Sequence, residues 1–176
     1  MSDPSPASAA HAHRRAAPTS LRVAVITVSD TRTRETDTGG QKVVDLLEAA
    51  GHVVAGREIV ADEPGQIAAA LTRALARGDL RAVILTGGTG VSPRDVTPET
   101  IGPLLDREIP GFGELFRMLS FEEIGSAALL SRATAGIAAG AVVFALPGSR
   151  GAVQLAMERL ILPEIGHLAA EAVKGR

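Results

Sequence analysis

The sequence predicts an α/β fold in which helices cover both faces of a twisted, mostly parallel sheet. Runs typical of buried strands alternate with helical spacing in the order βαβαβ, and crossovers of this kind are almost always right-handed. The length of 176 residues fits one domain with a substantial core. In such sheets ligands bind at the carboxyl ends of the strands, so the loops that follow the strands are where a site is expected.

The first half of the chain supplies the alternating elements. RVAVITV at 22–28 and HVVAGREIV at 52–60 are rich in β-branched residues, which is typical of strands buried on both faces. Between them, GQKVVDLLEAAG has the apolar spacing of a helix that stops at Gly51. A second helical pattern covers 63–79 and leads into RAVILTGG at 81–88, a third strand.

The second half predicts shorter elements. PETIGPLLD and GFGELFRMLS read as two short helices separated at Pro110-Gly111. SRATAGIAAGAVVFALPGS at 131–149 predicts two strands around an Ala-Ala-Gly turn. The remaining chain predicts a closing helix that Pro163 is expected to kink, and Phe112, Phe116 and Met118 are interpreted as packing or subunit-contact residues.

Composition excludes several classes of function. With 18 Lys and Arg against 20 Asp and Glu, and no basic run beyond Arg14-Arg15, no nucleic-acid partner is expected. No apolar stretch approaches the roughly 20 residues of a membrane span, and there is no secretory signal, so a cytoplasmic protein without a membrane partner is expected. The absence of cysteine removes disulfides and thiol nucleophiles, and leaves oxygen ligands for any metal.

The N-terminal segment differs in composition from the rest. Residues 1–20 contain almost no large apolar side chains, so they cannot offset the entropy of ordering and predict a disordered extension. The domain is therefore predicted to occupy residues 21–176.

The loop LTGGTGVSPRDVTPE at 85–99 is the most informative stretch. Its glycines, Gly87, Gly88 and Gly90, allow backbone amides to approach an anion without a Cβ in the way. Thr97 is predicted to cap the next helix, with Pro98 and Glu99 in its first turn. The loop lacks the Lys of a Walker A motif and the spacing of a dinucleotide fingerprint, so a purely structural turn remains the alternative.

Asp95 in this loop has two interpretations. It is either a local partner, in an ion pair with Arg94 or in an Asx turn, or a functional carboxylate. Asp62 follows the neighbouring strand and should reach the same edge of the sheet. Two carboxylates facing a phosphate-sized nest are how a protein holds Mg²⁺ on a nucleotide, which predicts phosphoryl or nucleotidyl transfer.

Four motifs also resemble a known family. VSDTRTRETDTGG, TGGTGVSPRDVTPE, REIPGFGELFRMLS and ALPGS occur in the order typical of the molybdenum cofactor biosynthesis proteins of the MoaB/MogA type, which are related to the molybdopterin-binding domain of gephyrin. The resemblance extends over residues 21–170, and SFEEIGSAALLSRATAGI is more similar to the MoaB branch than to the MogA branch.

The resemblance implies a three-layer α/β/α, molybdopterin-binding-like fold that assembles as homotrimers or hexamers. It also implies molybdopterin binding, with adenylylation of the molybdopterin terminal phosphate by Mg-ATP. Asp62 and Asp95 match the catalytic and Mg²⁺-linked aspartates. The residues expected to bind substrate are Ser29, Asp30, Gly87, Gly88, Thr89, Gly90, Arg94, Thr97, Glu99, Pro147, Gly148 and Ser149.

Two other functions stay open: a scaffold oligomer that binds molybdopterin without turning it over, and a generic nucleotide-binding domain. The chain also departs from the family pattern at two places. Asp37-Thr38-Gly39-Gly40 stands where D-x-S-G is usual, and Thr38 is expected to supply the helix cap. PGSRGAV lacks the Lys common in the MogA branch, which leaves Arg150 as the nearby cation.

Overall fold

The structure, a computed structural model, describes residues 18–174. Most of the predicted N-terminal extension, residues 1–17, therefore lies outside the described residues. The described chain starts three residues before the predicted domain, and the Ser20 hydroxyl donates a hydrogen bond of 2.7 Å to the Gly51 carbonyl.

Residues 18–174 contain six strands, which form one sheet. They are β1 (Arg22–Val28), β2 (Val53–Val60), β3 (Ala82–Thr86), β4 (Arg107–Glu108), β5 (Thr134–Ala138) and β6 (Ala141–Leu146). Their order across the sheet is β2-β1-β3-β6-β5-β4. The four neighbouring strands β2, β1, β3 and β6 run parallel to one another. Strand β5 is antiparallel to both of its neighbours, β6 and β4. The sheet is therefore mostly parallel, as the sequence predicts.

The part of the chain that the structure describes also contains six α-helices, which pack on this sheet. They are α1 (Thr38–Ala49), α2 (Pro64–Ala76), α3 (Thr97–Ile101), α4 (Pro110–Ile124), α5 (Arg150–Ala156) and α6 (Leu162–Ala172). Short 3-10 segments follow α3 and α4, at Gly102–Leu104 and Gly125–Leu130, and a π-helical turn at Met157–Ile161 joins α5 to α6.

Two hydrophobic cores lie on opposite faces of the sheet, which makes the fold a three-layer α/β/α domain. In β3, Ala82 and Ile84 belong to the core under α1, α4, α5 and α6. Val83 and Leu85 belong to the core under α2 and α3. Consecutive residues of a strand point to opposite faces of the sheet, and helices cover both faces, so all four side chains are fully buried. The sequence of β3 is therefore a continuous apolar run rather than an alternating one.

The structure differs from the sequence-based elements in four places. The helix at 110–124 continues well past Ser120 and ends only where Gly125 adopts a φ of +62°. The two-residue strand β4 is too short to leave a sequence pattern. The irregularity near Pro163 is a π-helical turn, in which the Leu162 N–H donates to the Met157 carbonyl. The cap of α1 is discussed next.

Thr38 is not the cap of α1. It is the first residue of the helix, and the Asp37 carboxylate accepts the Gly40 N–H at 2.8 Å. The prediction was wrong by one residue because both residues are capping types, and aspartate, the better cap of the two, stands directly before the threonine. Within residues 18–174, none of the helices is long and apolar enough to cross a membrane.

Candidate functional site

The predicted site segments meet at the carboxyl edge of the parallel strands. Because β2, β1, β3 and β6 are neighbours, the loops after them lie side by side. The Asp30 N–H donates to Asp62 Oδ2 at 3.2 Å, and the Asp62 N–H donates to Asp30 Oδ1 at 3.1 Å. On the other side, the Gly87 N–H donates to the Leu146 carbonyl at 2.9 Å. The structure therefore brings these four loops together, as predicted.

The glycine-rich loop has a backbone shape that only glycine tolerates. Gly87 and Gly88 have φ angles of +109° and +63°. A Cβ on Gly87 would collide with the Val28 carbonyl, and one on Gly88 would collide with the Thr97 hydroxyl and come within 2.9 Å of Asp62 Oδ1. The loop therefore lies directly against the end of β1 and against Asp62.

Thr97 holds the loop but does not cap α3. Its hydroxyl donates to the Gly87 carbonyl at 2.9 Å and its N–H donates to the Gly88 carbonyl at 3.0 Å. The helix follows Val96 and has no side-chain cap. The predicted cap was wrong because the hydroxyl donates to a carbonyl of the folded loop that is ten residues away in sequence.

Three backbone N–H groups of the loop have no hydrogen-bond acceptor among the described residues. The N–H groups of Gly88, Thr89 and Gly90 donate no hydrogen bond to any residue between 18 and 174, whereas that of Gly87 is used by Leu146. Thr89 is buried and the two glycines are partly buried. Buried amides normally have a partner, so this nest of donors suits an anion.

Arg94 does not pair with Asp95. Its guanidinium contacts Asp30 Oδ2 at 2.7 Å and Glu63 Oε1 at 2.8 Å, which joins the loops after β1, β2 and β3. The ion-pair interpretation of Asp95 is therefore wrong. Asp95 does shape its own loop, but not through an Asx turn: Oδ2 accepts the N–H of Ser92, three residues earlier, at 2.9 Å. An Asx turn would use the N–H of Thr97, which donates to the Gly88 carbonyl instead. Asp95 Oδ1 accepts no hydrogen bond from the described residues.

The pKa values of Asp30 and Asp62 are shifted in opposite directions. The hydrogen bond from Arg94, assisted by that from the Asp62 N–H, lowers the pKa of Asp30. Burial raises the pKa of Asp62, and the negative charges of Asp30 and Asp95 raise it further. Asp62 is thus a partly buried carboxylate without a cation of its own.

The carboxylates fit a magnesium ion that arrives with phosphates. Within residues 18–174, no group of three acidic or histidine side chains is arranged to hold a metal by itself. However, Asp62 Oδ1 and Asp95 Oδ2 flank the loop, at 2.9 and 2.8 Å from the positions of a Cβ on Gly88 and on Gly90. Mg²⁺ is commonly held by one or two carboxylates together with substrate phosphates, which this pair could provide.

A cleft of about 200 Å³ lies beside the loop. Its rim contains Thr89, Gly90, Pro147 and Ser149, and Phe116 from α4 belongs to its largely apolar wall. Two predicted segments, the glycine-rich loop and Pro147-Gly148-Ser149, therefore open into the same space.

Three other predicted residues make contacts within the protein. The Ser29 hydroxyl accepts the N–H groups of Thr31 and Arg32, at 3.3 and 3.2 Å, and so shapes its own loop. Ser149 is the N-cap of α5, although its contact with the Ala152 N–H is long at 3.3 Å. Glu99 forms an ion pair with Arg132.

Comparisons with known proteins identify the family. The family model "Probable molybdopterin binding domain" matches residues 24–167, which is most of the chain. The chain belongs to this family. It is 52% identical over 165 residues to molybdenum cofactor biosynthesis protein B of Halalkalibacterium halodurans, and the match covers 93% of this chain and 97% of that protein.

Solved structures of this family have the same fold. A crystal structure of a molybdenum cofactor biosynthesis protein B, 52% identical, superposes with a TM-score of 0.86 over 89% of this chain and 98% of that one. The tungsten cofactor synthesizing protein MoaB from Pyrococcus furiosus, 40% identical, gives 0.79 over 89% of this chain and 99% of that one. The chain is thus a molybdopterin-binding-fold protein of molybdenum cofactor biosynthesis, on the MoaB side of the family.

Two residues at the site were missed by sequence reasoning. Glu63 binds Arg94, and Arg132 binds Glu99 and the backbone of the glycine-rich loop. Glu63 directly follows Asp62, so its nearness to the site was a usable signal. Arg132 is 42 residues from Gly90 and no local pattern connects them.

Proposed function

We propose that the protein binds molybdopterin and adenylylates its terminal phosphate with Mg-ATP. An oxygen of that phosphate attacks the α-phosphorus of ATP, the bond from the α-phosphorus to the bridging oxygen breaks, and pyrophosphate leaves. The observation that carries the proposal is the nest of three unpartnered amides, Gly88 to Gly90, between the carboxylates of Asp62 and Asp95.

The residues of the site have separate tasks in this reaction. The loop amides bind a phosphate and orient it, which is a large part of what phosphoryl chemistry requires of a protein. Asp62 and Asp95 would hold Mg²⁺, whose charge offsets the negative charge on the phosphates. Arg94, fixed by Asp30 and Glu63, keeps the surrounding loops in register. The protein supplies no nucleophile, which is consistent with a chain that has no cysteine.

The cleft beside the loop is our candidate for the pterin. Pockets for planar ligands are mostly apolar with a few polar groups at fixed places. Phe116 and Ala128 give this cleft an apolar wall, and Thr89 and Ser149 provide hydroxyls at its rim. A pterin seated there would keep its phosphate tail near the amides of the loop.

An assay for turnover distinguishes an adenylylating enzyme from a scaffold that only binds molybdopterin. The purified protein is incubated with molybdopterin and Mg-ATP, and adenylylated product and pyrophosphate are quantified. The proposal expects both products in equal amounts. Saturable molybdopterin binding without either product would instead establish the scaffold function. Absence of molybdopterin binding would exclude both functions and leave a generic nucleotide-binding domain.

We also propose that the protein assembles as a homotrimer or hexamer. Of the three residues interpreted as packing or contact residues, Phe112 and Phe116 are buried and Met118 is half exposed. Met118 belongs to an exposed apolar patch on α4 and the following 3-10 segment, composed of Leu115, Met118, Phe121, Ile124, Leu129 and Leu130. A patch of this kind is typical of a protein interface, and a second copy of the chain is the occupant we propose.

Sedimentation equilibrium tests the assembly. The mass at micromolar concentration should be that of a trimer or a hexamer, and Phe121→Glu, which places a charge on an exposed residue of the patch, should shift it toward the monomer. A monomeric wild-type protein would refute the proposal.

A further inference from the structure

Arg132 lies outside the glycine-rich loop but is bonded to it at several places. It lies between the 3-10 segment and β5, and its side chain is about one-third exposed, at 32%. Nε donates to the Gly90 carbonyl at 2.6 Å and Nη2 to the Asp95 carbonyl at 2.5 Å, while Nη1 pairs with Glu99. Its backbone N–H donates to the Thr89 carbonyl at 2.9 Å.

These contacts control where the loop amides point. A trans peptide is planar, so its N–H and its C=O point in opposite directions. The backbone N–H at position 132 holds the Thr89 carbonyl, so the N–H of the same peptide, which belongs to Gly90, is turned the other way. That N–H is one of the three without a partner among residues 18–174. The guanidinium holds the next carbonyl, that of Gly90, and so fixes the end of the nest from its other side without touching the anion.

The same side chain holds the end of the loop that carries Asp95. The Asp95 carbonyl and the Gly90 carbonyl are bridged by a single guanidinium, so the two ends of the segment 90–95 are tied at a fixed separation. Only arginine has donors in a rigid fork that can reach both carbonyls and a carboxylate at once. Lysine could keep the charge near Glu99, but it would lose the bridge.

We propose that Arg132 is the positioning residue of this site: it fixes the shape of the loop at 87–96, and thereby sets the affinity for the phosphate of the ligand and the place of the Asp95 carboxylate. The part about ligand affinity rests on the proposed function, whereas the part about loop shape does not. The two parts are therefore tested by different measurements.

The variant Arg132→Lys is compared with Arg117→Lys. Arg117, on α4, also donates to a backbone carbonyl, that of Ala133 at 3.4 Å, but it does not contact the loop. Amide hydrogen exchange is followed for peptides that cover 87–96. In Arg132→Lys these peptides should exchange about tenfold faster, because the loss of two charge-assisted hydrogen bonds eases local opening. In Arg117→Lys they should exchange as in the wild type. The thermal unfolding midpoint should be similar in the two variants.

Molybdopterin titrations give the second measurement. Arg132→Lys should weaken binding about tenfold, while Arg117→Lys should not change it. In Arg132→Ala, added methylguanidinium should restore much of the affinity and the slow exchange of the loop, and ethylammonium should restore neither.

Unchanged exchange at 87–96 in Arg132→Lys would overturn the proposal, as would equal rescue by ethylammonium. A wild-type protein that fails to bind molybdopterin would defeat the proposed function, while the exchange measurement would still decide the role of Arg132 in the loop.

Discussion

Asp37 and Asp62 both lie near the carboxyl edge of the sheet, but their surroundings are opposite. Asp37 is 3% exposed and accepts hydrogen bonds from Thr27 Oγ1 at 2.6 Å, Gly40 N–H at 2.8 Å and Arg57 Nη2 at 2.9 Å. Among residues 18–174, Asp62 accepts only the Asp30 N–H, and it faces the negative charges of Asp30 and Asp95. Asp37 is thus supplied with partners by the fold, whereas Asp62 is left without a cation.

The pKa values of the two carboxyls follow from these partners. At Asp37, burial pushes the pKa up, but the hydrogen bonds from Thr27, Gly40 and Arg57 outweigh burial and the pKa is lowered. At Asp62, burial and the charge of Asp30 act in the same direction and the pKa is raised. The difference teaches that a carboxylate which supports the fold and one which awaits a ligand can be told apart by their donors.

The largest effect is expected for Asp37→Ala. The substitution leaves Arg57, whose side chain is 7% exposed and whose Nε already lacks a partner, as a buried charge without its carboxylate. Removal of one partner of a buried ion pair costs about 3 to 5 kcal/mol, so urea unfolding should show a loss of that order. Asp45→Asn, at an exposed position on the same helix, is the control and should change the unfolding free energy by less than about 0.5 kcal/mol. Equal stability of the two variants would refute a structural role for Asp37.

A smaller effect is expected for Gly88→Ala. Gly88 has a positive φ, and a Cβ added there would collide with the Thr97 hydroxyl. The substitution should therefore lower the unfolding free energy by about 1 to 3 kcal/mol. Gly65→Ala, where a Cβ meets nothing within 4 Å, is the matched control and should be neutral or slightly stabilising. A Gly88→Ala protein as stable as the control would show that the loop relaxes.

The two carboxyls should also give opposite pH trends. Because the pKa of Asp37 is lowered, its stabilisation is complete above the ordinary value of 3.8 and is lost as pH falls through the folded-state value. Because the pKa of Asp62 is raised, its ionisation costs stability, and this cost appears as pH rises from 3.8 through the folded-state value. Unfolding free energies of Asp37→Asn and Asp62→Asn, measured against the wild type from pH 3 to 7, should diverge in opposite directions. Parallel curves would contradict the comparison.

The sequence predicted the fold better than it predicted these contacts. Val23 to Ile26 and Ala82 to Leu85 are continuous apolar runs, so the apolar runs identified the buried strands, and adjacent parallel strands brought Asp30 and Asp62 to one edge. Asp37 and Arg57 are 20 residues apart on different elements, and their pairing depends on the register between β1 and β2. Long-range contacts of this kind leave no local pattern, and the same holds for Arg132.

Helix caps were the other weakness, for a related reason. A hydroxyl at Thr38 or Thr97 satisfies the rule for a cap, but the rule does not say what else lies within reach in the folded chain. Asp37 takes the cap of α1, and Gly87 takes the Thr97 hydroxyl. At Thr38 the competing cap was the adjacent residue in sequence, whereas at Thr97 the competing acceptor is a carbonyl that only the folded loop brings near.

The most direct test of the central claim, that Asp62 and Asp95 serve the reaction rather than the fold, is single-turnover adenylyl transfer by Asp62→Asn and Asp95→Asn at saturating Mg-ATP. Molybdopterin affinity and unfolding free energy are measured on the same samples, with Asp45→Asn as control. Loss of one such electrostatic contact should slow transfer about 10² to 10³-fold, while molybdopterin affinity stays near that of the wild type and Asp62→Asn loses no stability at neutral pH. Wild-type rates in both variants, or a loss of stability in Asp62→Asn as large as that in Asp37→Ala, would contradict the account.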